Sequence, residues 1–322
     1  MGLYNGMNIT VGHAIMRDPL PGLPAHPVNQ YFSVPTDMLI PGPIAAAAAT
    51  SHPRRVVYRV PASCRAAAHA LSHPGTTLSG FGALALFGLP TLVDMCDTVL
   101  INPKIGRKVL ATSTSPGMVR GSPKPQDVWR VFFNGEVVQL ATPPLATIQA
   151  LKALRRGEAG WEVETVEDDP VFVRAVQLVD AVRRFLAVTP ESLVLAGHKL
   201  IDDRWLASVI SSSSAVADSP KETEMRLILA RLAGKHGFTF REQLPVRKRN
   251  RLVTTLDAAL VEPRYGFMYD GIHHWTKQQR VKDAEINIEL QLLQIRPLRF
   301  ATGTLRSIPA VTEALLRRDG FI

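Results

Sequence analysis

The sequence has few of the residues that cross-link small secreted domains or build metal clusters. Among its 322 residues there are two cysteines, Cys64 and Cys96, and neither belongs to a CxxC pair or to a Cys/His cluster. We therefore expect neither a disulfide framework nor a structural zinc site. Aromatic residues make up 7% of the chain, whereas the hydrophobic fraction of 46% is ordinary for a globular protein.

Long apolar runs are also missing. The longest uncharged stretch, residues 76–93, contains four Gly or Pro residues. It is shorter than the roughly 20 apolar residues that a membrane-spanning helix needs. The first ten residues lack the basic and apolar regions of a signal peptide. From these absences we expect a cytoplasmic protein with no membrane contact.

Positive charge is abundant, and it is unevenly distributed. The 37 Lys and Arg residues outnumber the 28 Asp and Glu residues, which gives a net charge of +9. Residues 219–322 contain 18 basic and 11 acidic residues and so carry +7 of that charge. A basic C-terminal third predicts a polyanionic partner, most simply double-stranded DNA. The alternative is a solvated basic surface without a partner.

Hydrophobic periodicity and chain breakers divide the sequence into four regions. Residues 1–53 are rich in Pro and Gly, which predicts a wrapped or partly disordered leader. Residues 54–160 alternate strand and helix patterns, and residues 161–215 predict a helical linker. Residues 216–322 predict the order helix, strand, strand, strand, helix, strand, helix. The expected fold class is therefore α/β (α+β).

Local chemistry predicts several element boundaries. Val56–Val60 has the pattern of a strand, and Thr142 is expected to cap the helix that follows it. Ser219-Pro-Lys-Glu222 has the form of a capping box with Pro in the first turn. We expect the helix that starts there to end at Gly234.

Acidic residues in and after the strands are the candidate catalytic groups. Asp257 lies in an apolar strand, where a charge is costly without a partner, and Asp270 ends the next strand. Carboxylate oxygens bind Mg²⁺ or Mn²⁺, the hard cations that assist phosphodiester hydrolysis, so both are predicted metal ligands. Glu222 either supports this site or only caps its helix. His273 and His274 are either acid/base groups of the site or surface residues.

Basic residues cluster between two predicted strands. Four of the five residues from Arg247 to Arg251 are basic, and the spacing places them at a hairpin tip. Such a tip either contacts phosphates without sequence preference or is a solvated loop. The surrounding charge favours phosphate contact. The predicted DNA-binding residues are Arg247, Lys248, Arg249, Arg251, Lys277 and Arg280.

Residues 219 to about 305 resemble the very-short-patch-repair-like (Vsr-like) nucleases of the PD-(D/E)xK superfamily. The resemblance rests on the Ser-Pro-x-Glu helix start at 219–222, the strand residue Asp257, the segment Met268-Tyr-Asp-Gly271 with His273-His274, and Gln279-Arg-Val-Lys-Asp283. It implies a restriction-endonuclease-like domain with a mixed central sheet flanked by helices. It also implies a metal-dependent DNA endonuclease or nickase, in phage defence or mobile-element biology.

Met268 departs from that family, whose members mostly have a metal-binding Glu at this position. A thioether is a poor ligand for Mg²⁺. Either the domain is a degenerate nuclease that only binds DNA, or Asp257 and Asp270 hold one metal together with a backbone carbonyl. The second alternative resembles the patch-repair endonucleases themselves, which lack this acid and cleave with an Asp and histidines.

Residues 54–157 resemble, more weakly, the C-terminal domain of AbiEi-type antitoxins. The resemblance is carried by residues 77–90, TLSGFGALALFGLP, and residues 138–147, VQLATPPLAT. It implies an antitoxin-like α/β domain, and this N-terminal domain is a candidate docking surface for a protein partner. A protein-interaction module is thus the third functional hypothesis, after the nuclease and the DNA-binding regulator.

Overall fold

The structure, a computed structural model, describes residues 14–17, 22–133, 135–164, 169–271 and 277–322. Its contacts divide the chain into two compact units. Unit 1 contains residues 1–162 and 174–213, and unit 2 contains residues 163–173 and 214–322. Most of the segment that the sequence assigned to a helical linker is therefore grouped with unit 1. The expected mixed α/β class is confirmed, because both units combine helices with sheets.

Unit 1 is built on a five-stranded mixed sheet with the strand order β5-β4-β3-β7-β6. A separate antiparallel pair, β1 and β2, precedes it. The elements are β1 (Ala25–Pro27), β2 (Ser33–Pro35), α1 (Gly42–Ala49), α2 (Ala62–Ser72), β3 (Thr77–Ser79), α3 (Gly80–Leu86), β4 (Val99–Asn102), β5 (Gly117–Arg120), β6 (Val128–Phe133), β7 (Glu136–Ala141), α4 (Pro143–Arg155), α5 (Pro170–Leu186), α6 (Pro190–Gly197) and α7 (Asp203–Ser211). The division between the units falls within α5.

One local prediction in unit 1 was wrong, and a second was confirmed only in part. Residues 56–59 form no strand, because none of the strands in the described part of the chain pairs with this extended segment. The segment contributes to the core through its side chains, since Tyr58 and Val60 are buried. Helix α4 does begin after Thr142, but the Thr142 side chain makes no capping hydrogen bond. Its backbone carbonyl accepts from the amide of Ala146, as in an ordinary first turn.

Unit 2 has the predicted order of elements. They are α8 (Pro220–His236), β8 (Phe240–Lys248), β9 (Arg251–Leu260), β10 (Tyr265–Asp270), α9 (Lys277–Leu292), β11 (Arg296–Ala301) and α10 (Ile308–Arg318). The sheet order is β11-β10-β9-β8. Strands β8, β9 and β10 pair antiparallel, and β10 pairs parallel with β11 after the α9 crossover. The sheet is thus mixed, as expected.

Helix α8 starts at the predicted capping box. The Ser219 hydroxyl accepts from the amide of Glu222 at 3.2 Å and donates to Glu222 Oε1 at 2.9 Å. The predicted end at Gly234 was wrong, because the helix continues to His236. Gly237 ends it in the left-handed conformation, with φ of 74°, which glycine adopts without steric cost.

Two apolar clusters cover the two faces of the unit 2 sheet. Met225 and Leu229 of α8 pack with Phe267 on one face, and Leu290 of α9 packs with Met268 on the other. Neighbouring residues of β10 thus point to opposite faces, as the strand period requires. Within the described residues, no helix combines the length and apolarity needed to cross a membrane.

Candidate carboxylate site and basic hairpin

Strands β9 and β10 separate where Asp257 lies. Their ladder runs from the Tyr265–Leu260 pair to the Phe267–Ala258 pair. The next available amide of β10, that of Tyr269, donates to Asp257 Oδ2 at 2.7 Å. A side-chain carboxylate thus takes the place of a backbone acceptor, while β10 stays paired with β11 as far as Asp270. Asp257 and the end of β10 are thereby brought to one opening of the sheet.

Gln243 of β8 bridges two of the predicted acids. It has φ of 44°, an uncommon conformation for a residue with a side chain. Its side-chain Nε2 lies 3.4 Å from Glu222 Oε2, and its amide also hydrogen-bonds the Asp257 carboxylate. A carboxamide has two N–H donors, so it can serve both partners. Glu222 therefore caps its helix and also belongs to the neighbourhood of Asp257.

The electrostatic environment of Asp257 and Glu222 disfavours their charged forms. Burial raises the pKa of Asp257 above its usual range, and the charges of Asp270 and Asp218 raise it further, against the hydrogen bonds from Tyr269 and Gln243. Burial likewise raises the pKa of Glu222, with a further contribution from the charge of Asp257. In the part of the chain that the structure describes, neither carboxylate has an ion-pair partner.

Asp270 is in a different position, because it has a cation of its own. Arg299 Nη1 of β11 lies 2.8 Å from Asp270 Oδ1. The same guanidinium reaches Asp283 of α9 at 3.6 Å, and its Nε lies 3.4 Å from Asn287 Oδ1. Asp270 is thus neutralised from the α9 face of the sheet. We call Glu222, Asp257 and Asp270 the carboxylate site.

Met268 is part of the hydrophobic core. Its side chain is 7% exposed and packs in the cluster of Leu256 and Leu290. The position at which the resembled nucleases have a Glu therefore contributes packing. Among the described residues, no group of three or more His, Cys, Asp or Glu side chains is arranged to hold a metal ion.

Four other predicted site residues cannot be placed in this site. His273 and His274 lie outside the described residues, as do the side chains of Lys277 and Arg280.

The basic hairpin joins β8 and β9 and contains Arg247, Lys248, Arg249 and Arg251. Lys248 pairs with Arg251, which leaves Arg249 and Asn250 as a two-residue turn. Both turn residues have positive φ, 46° and 68°, as in a type I′ turn, whose twist matches that of a hairpin. The hairpin tip predicted from the sequence is thus formed.

The four cations of the basic hairpin are not equally available. Arg251 binds both carboxylate oxygens of Glu289 on α9. Arg247 donates to the carbonyl of Asn250 at 3.2 Å, which leaves most of its guanidinium open. Lys248 and Arg249 have no ion pair with any described residue. The cations presented to a polyanion are therefore Arg247, Lys248 and Arg249.

Sequence reasoning missed Gln243 and Arg299. Each contacts an acid that is distant in the chain, and neither lies in a motif with a recognisable spacing. The one available signal for Arg299 was a cation in the middle of the apolar strand pattern at residues 298–301. No family model, curated protein or solved structure matches this chain. The geometry and chemistry of unit 2 are therefore the basis for assigning a function.

Proposed function

We propose that unit 2 is a metal-dependent DNA endonuclease or nickase that hydrolyses phosphodiester bonds at the carboxylate site. The observation that carries the proposal is the meeting of Glu222 and Asp257, two half-buried carboxylates without a cation, where β9 and β10 separate. Burial raises the pKa of both groups, and nearby negative charge raises it further, from Asp257 for Glu222 and from Asp270 and Asp218 for Asp257. A protein keeps such repulsion mainly where it has a use. A bound cation would relieve it.

The donor chemistry fits a hard divalent cation. Asp257 and Asp270 offer carboxylate oxygens, the type of ligand that Mg²⁺ and Mn²⁺ prefer. Glu222 would support the site through Gln243, and Asp270 would exchange part of its contact with Arg299. When bound, such a cation supplies an activated water and neutralises charge on the phosphate. Of the described side chains, Asp257 and Asp270 would be the two direct ligands, and the thioether of Met268 would add none.

The basic hairpin supports the DNA partner. Arg249 lies eight residues from Asp257 along β9 and the turn, a distance of about 25 Å at the usual rise of an extended strand. This is less than one turn of duplex DNA, about 34 Å. A duplex held by Lys248 and Arg249 therefore has room to present a phosphate to the carboxylate site. Contacts of this kind bind without reading sequence.

A second function, DNA binding without cleavage, has its own support. Met268 is embedded in the core, and Arg299 already occupies one side of Asp270. A guanidinium held there provides permanently the charge that a metal would bring. In such a regulator the basic hairpin would carry the binding, and Asp257 would have no role in it.

The decisive experiment is a plasmid-nicking assay at low salt with Mg²⁺ or Mn²⁺. We expect nicking by the wild-type chain, with a loss of at least about 10²-fold in Asp257→Asn, because removing a metal-binding carboxylate removes its charge stabilisation of the reaction. Glu262→Gln is the matched control, since Glu262 is an acid beside the β9–β10 turn whose carboxylate hydrogen-bonds Thr239. This control should retain wild-type nicking.

The same assay separates the two functions. Nicking that appears only in Met268→Glu would establish the binding regulator and contradict the nuclease.

The contact between the basic hairpin and DNA is tested by measuring affinity for duplex DNA at several salt concentrations. The double variant Lys248→Gln with Arg249→Gln should reduce the slope of log affinity against log salt concentration by about two. Arg317→Gln with Arg318→Gln, at the end of α10, removes the same charge elsewhere. An equal loss of slope in both double variants would contradict a specific role for the basic hairpin.

A further inference from the structure

Unit 1 contains a cavity that the proposed function does not use. It has a volume of about 500 Å³ and lies between β4, β5, the start of α3 and the last turns of α4. This size is within the range of about 300–1,000 Å³ that is typical of small-molecule sites. Ser79, Gly80 and Phe81 form one wall of the cavity, and they belong to residues 77–90, a segment that resembles AbiEi-type antitoxins.

Positive charge dominates the polar lining of the cavity. Five cations line it, Arg54, Lys108, Arg120, Lys152 and Arg156, against two acids, Asp97 and Glu158. Both acids are already engaged by cations, Asp97 by Arg54 and Glu158 by Lys108. Three cations therefore remain without an ion pair to any described residue, which are Arg120, Lys152 and Arg156. The cavity is complementary to an anion that carries more than one charge.

Lys152 and Arg156 lie one turn apart and both line the cavity, Lys152 in the last turn of α4 and Arg156 at its C-terminal cap. Like charges at this spacing destabilise a helix by a few tenths of a kcal/mol. Burial lowers the pKa of Lys152, and the charge of Arg156 lowers it further, as expected where a counter-charge is missing. The neighbouring Arg155 faces elsewhere and stacks on the ring of Trp205, 4.9 Å away. At the end of α4, the unpaired charge is thus that of Lys152 and Arg156, which line the cavity.

The rest of the lining is apolar, with a few fixed hydrogen-bonding groups. Phe81, Val99 and Ile101 supply hydrophobic surface. Gln149 Oε1 accepts from the amide of Gly80 at 2.9 Å, which orients the carboxamide and leaves its two N–H donors available. An occupant therefore needs an apolar portion as well as an anionic group.

We propose that this cavity binds a small organic phosphate of the mononucleotide class, with the phosphate held by Lys152, Arg156 and Arg120 and the base against Phe81. A phosphate monoester carries between one and two negative charges at neutral pH, which matches a cluster of unpaired cations better than a single carboxylate does. Phe81, Val99 and Ile101 form the apolar wall against which a base would pack. The site is independent of the carboxylate site of unit 2.

The test is isothermal titration calorimetry of the full chain with adenosine 5′-monophosphate, at low ionic strength and without divalent cations. We expect saturable binding with a Kd below about 1 mM, and adenosine and inorganic phosphate each to bind at least about tenfold more weakly. Lys152→Gln with Arg156→Gln should weaken the nucleotide at least about tenfold. Arg155→Gln, which removes a cation from the same turn but not from the cavity, should leave the affinity unchanged.

Several results would overturn the proposal. These are the absence of saturable nucleotide binding, equal affinity for adenosine, and an equal loss of affinity in Arg155→Gln. Circular dichroism checks that the variants fold. Ala153→Leu fills the cavity from the same helix without changing any charge, and it should weaken the nucleotide as well. Unchanged affinity in this variant would place the nucleotide elsewhere and so contradict the site.

Discussion

Two half-buried aspartates, Asp97 in unit 1 and Asp257 in unit 2, have opposite surroundings. Asp97 accepts from the hydroxyl of Tyr58 at 2.7 Å, contacts His52 Nε2 at 3.0 Å and pairs with Arg54. Burial by itself would raise its pKa, but these three partners lower it overall. Asp257 has neutral donors only, and burial and neighbouring negative charges raise its pKa.

This difference in partners indicates that Asp97 stabilises the folded state, whereas the charge of Asp257 destabilises it. A buried charge with several strong hydrogen bonds is compensated, and losing it leaves its partners unsatisfied. A buried charge among like charges costs stability, so packing does not explain why it is there. The contrast supports a functional role for Asp257 and a structural one for Asp97.

The largest expected effect is the loss of Asp97. Replacing it by Ala leaves Arg54, His52 and Tyr58 without their shared acceptor and should lower the free energy of unfolding by about 2–3 kcal/mol. Urea denaturation measures this change. Asp37→Ala, at an exposed position of unit 1, is the control and should stay within about 0.5 kcal/mol of the wild type. A loss of unfolding free energy as small as that of the control would contradict the structural role of Asp97.

A smaller effect of the opposite sign is expected for Asp257. Asn keeps an oxygen for the amide of Tyr269 but removes the repelled charge, so Asp257→Asn should raise the free energy of unfolding at pH 7. The gain reflects how far the fold raises the pKa of Asp257, and it should be smaller than the loss expected for Asp97→Ala. The urea midpoint of unit 2 measures it. A midpoint below that of the wild type would show that the charge is compensated after all.

The pH dependence of this gain should be the smallest effect. Because the folded pKa of Asp257 is raised, the native state binds the proton more tightly, and wild-type stability falls as pH rises between the unfolded and folded pKa values. The advantage of Asp257→Asn should therefore shrink as pH is lowered from 7 through that window. The Asp97 contribution, with a lowered pKa, should persist until pH falls below its unfolded pKa. Parallel urea titrations at several pH values test both.

Much of unit 2 follows from the sequence, because its signals are local. The Ser219 capping box, the apolar stripe of α8 and the strand patterns each involve residues close in the chain, and they gave the right order of elements. The position of Asp257 in an apolar strand likewise identified it as unusual. Its predicted role as a metal ligand stays a prediction.

What the sequence could not provide depends on distant partners. Gln243 reaches Asp257 only because β8 distorts locally, and Arg299 meets Asp270 only through the parallel pairing of β10 and β11. The strand predicted at residues 56–60 was wrong for the same reason, since a strand requires a neighbour that local pattern does not reveal. Gly234 and Gly237 differ in backbone conformation, although both fit the composition of a helix end.

The separation of β9 from β10 determines which contacts hold the basic hairpin in place. Beyond Asp257 the backbone pairing of β9 with β10 ends, and the hairpin contacts α9 through Leu256, which shares a cluster with Leu290, and through Arg251, which binds Glu289. These two contacts fix the hairpin to α9 at two points of its β9 arm. Arg249 at the tip and Asp257 at the base of that arm therefore belong to one segment of chain that α9 holds in place.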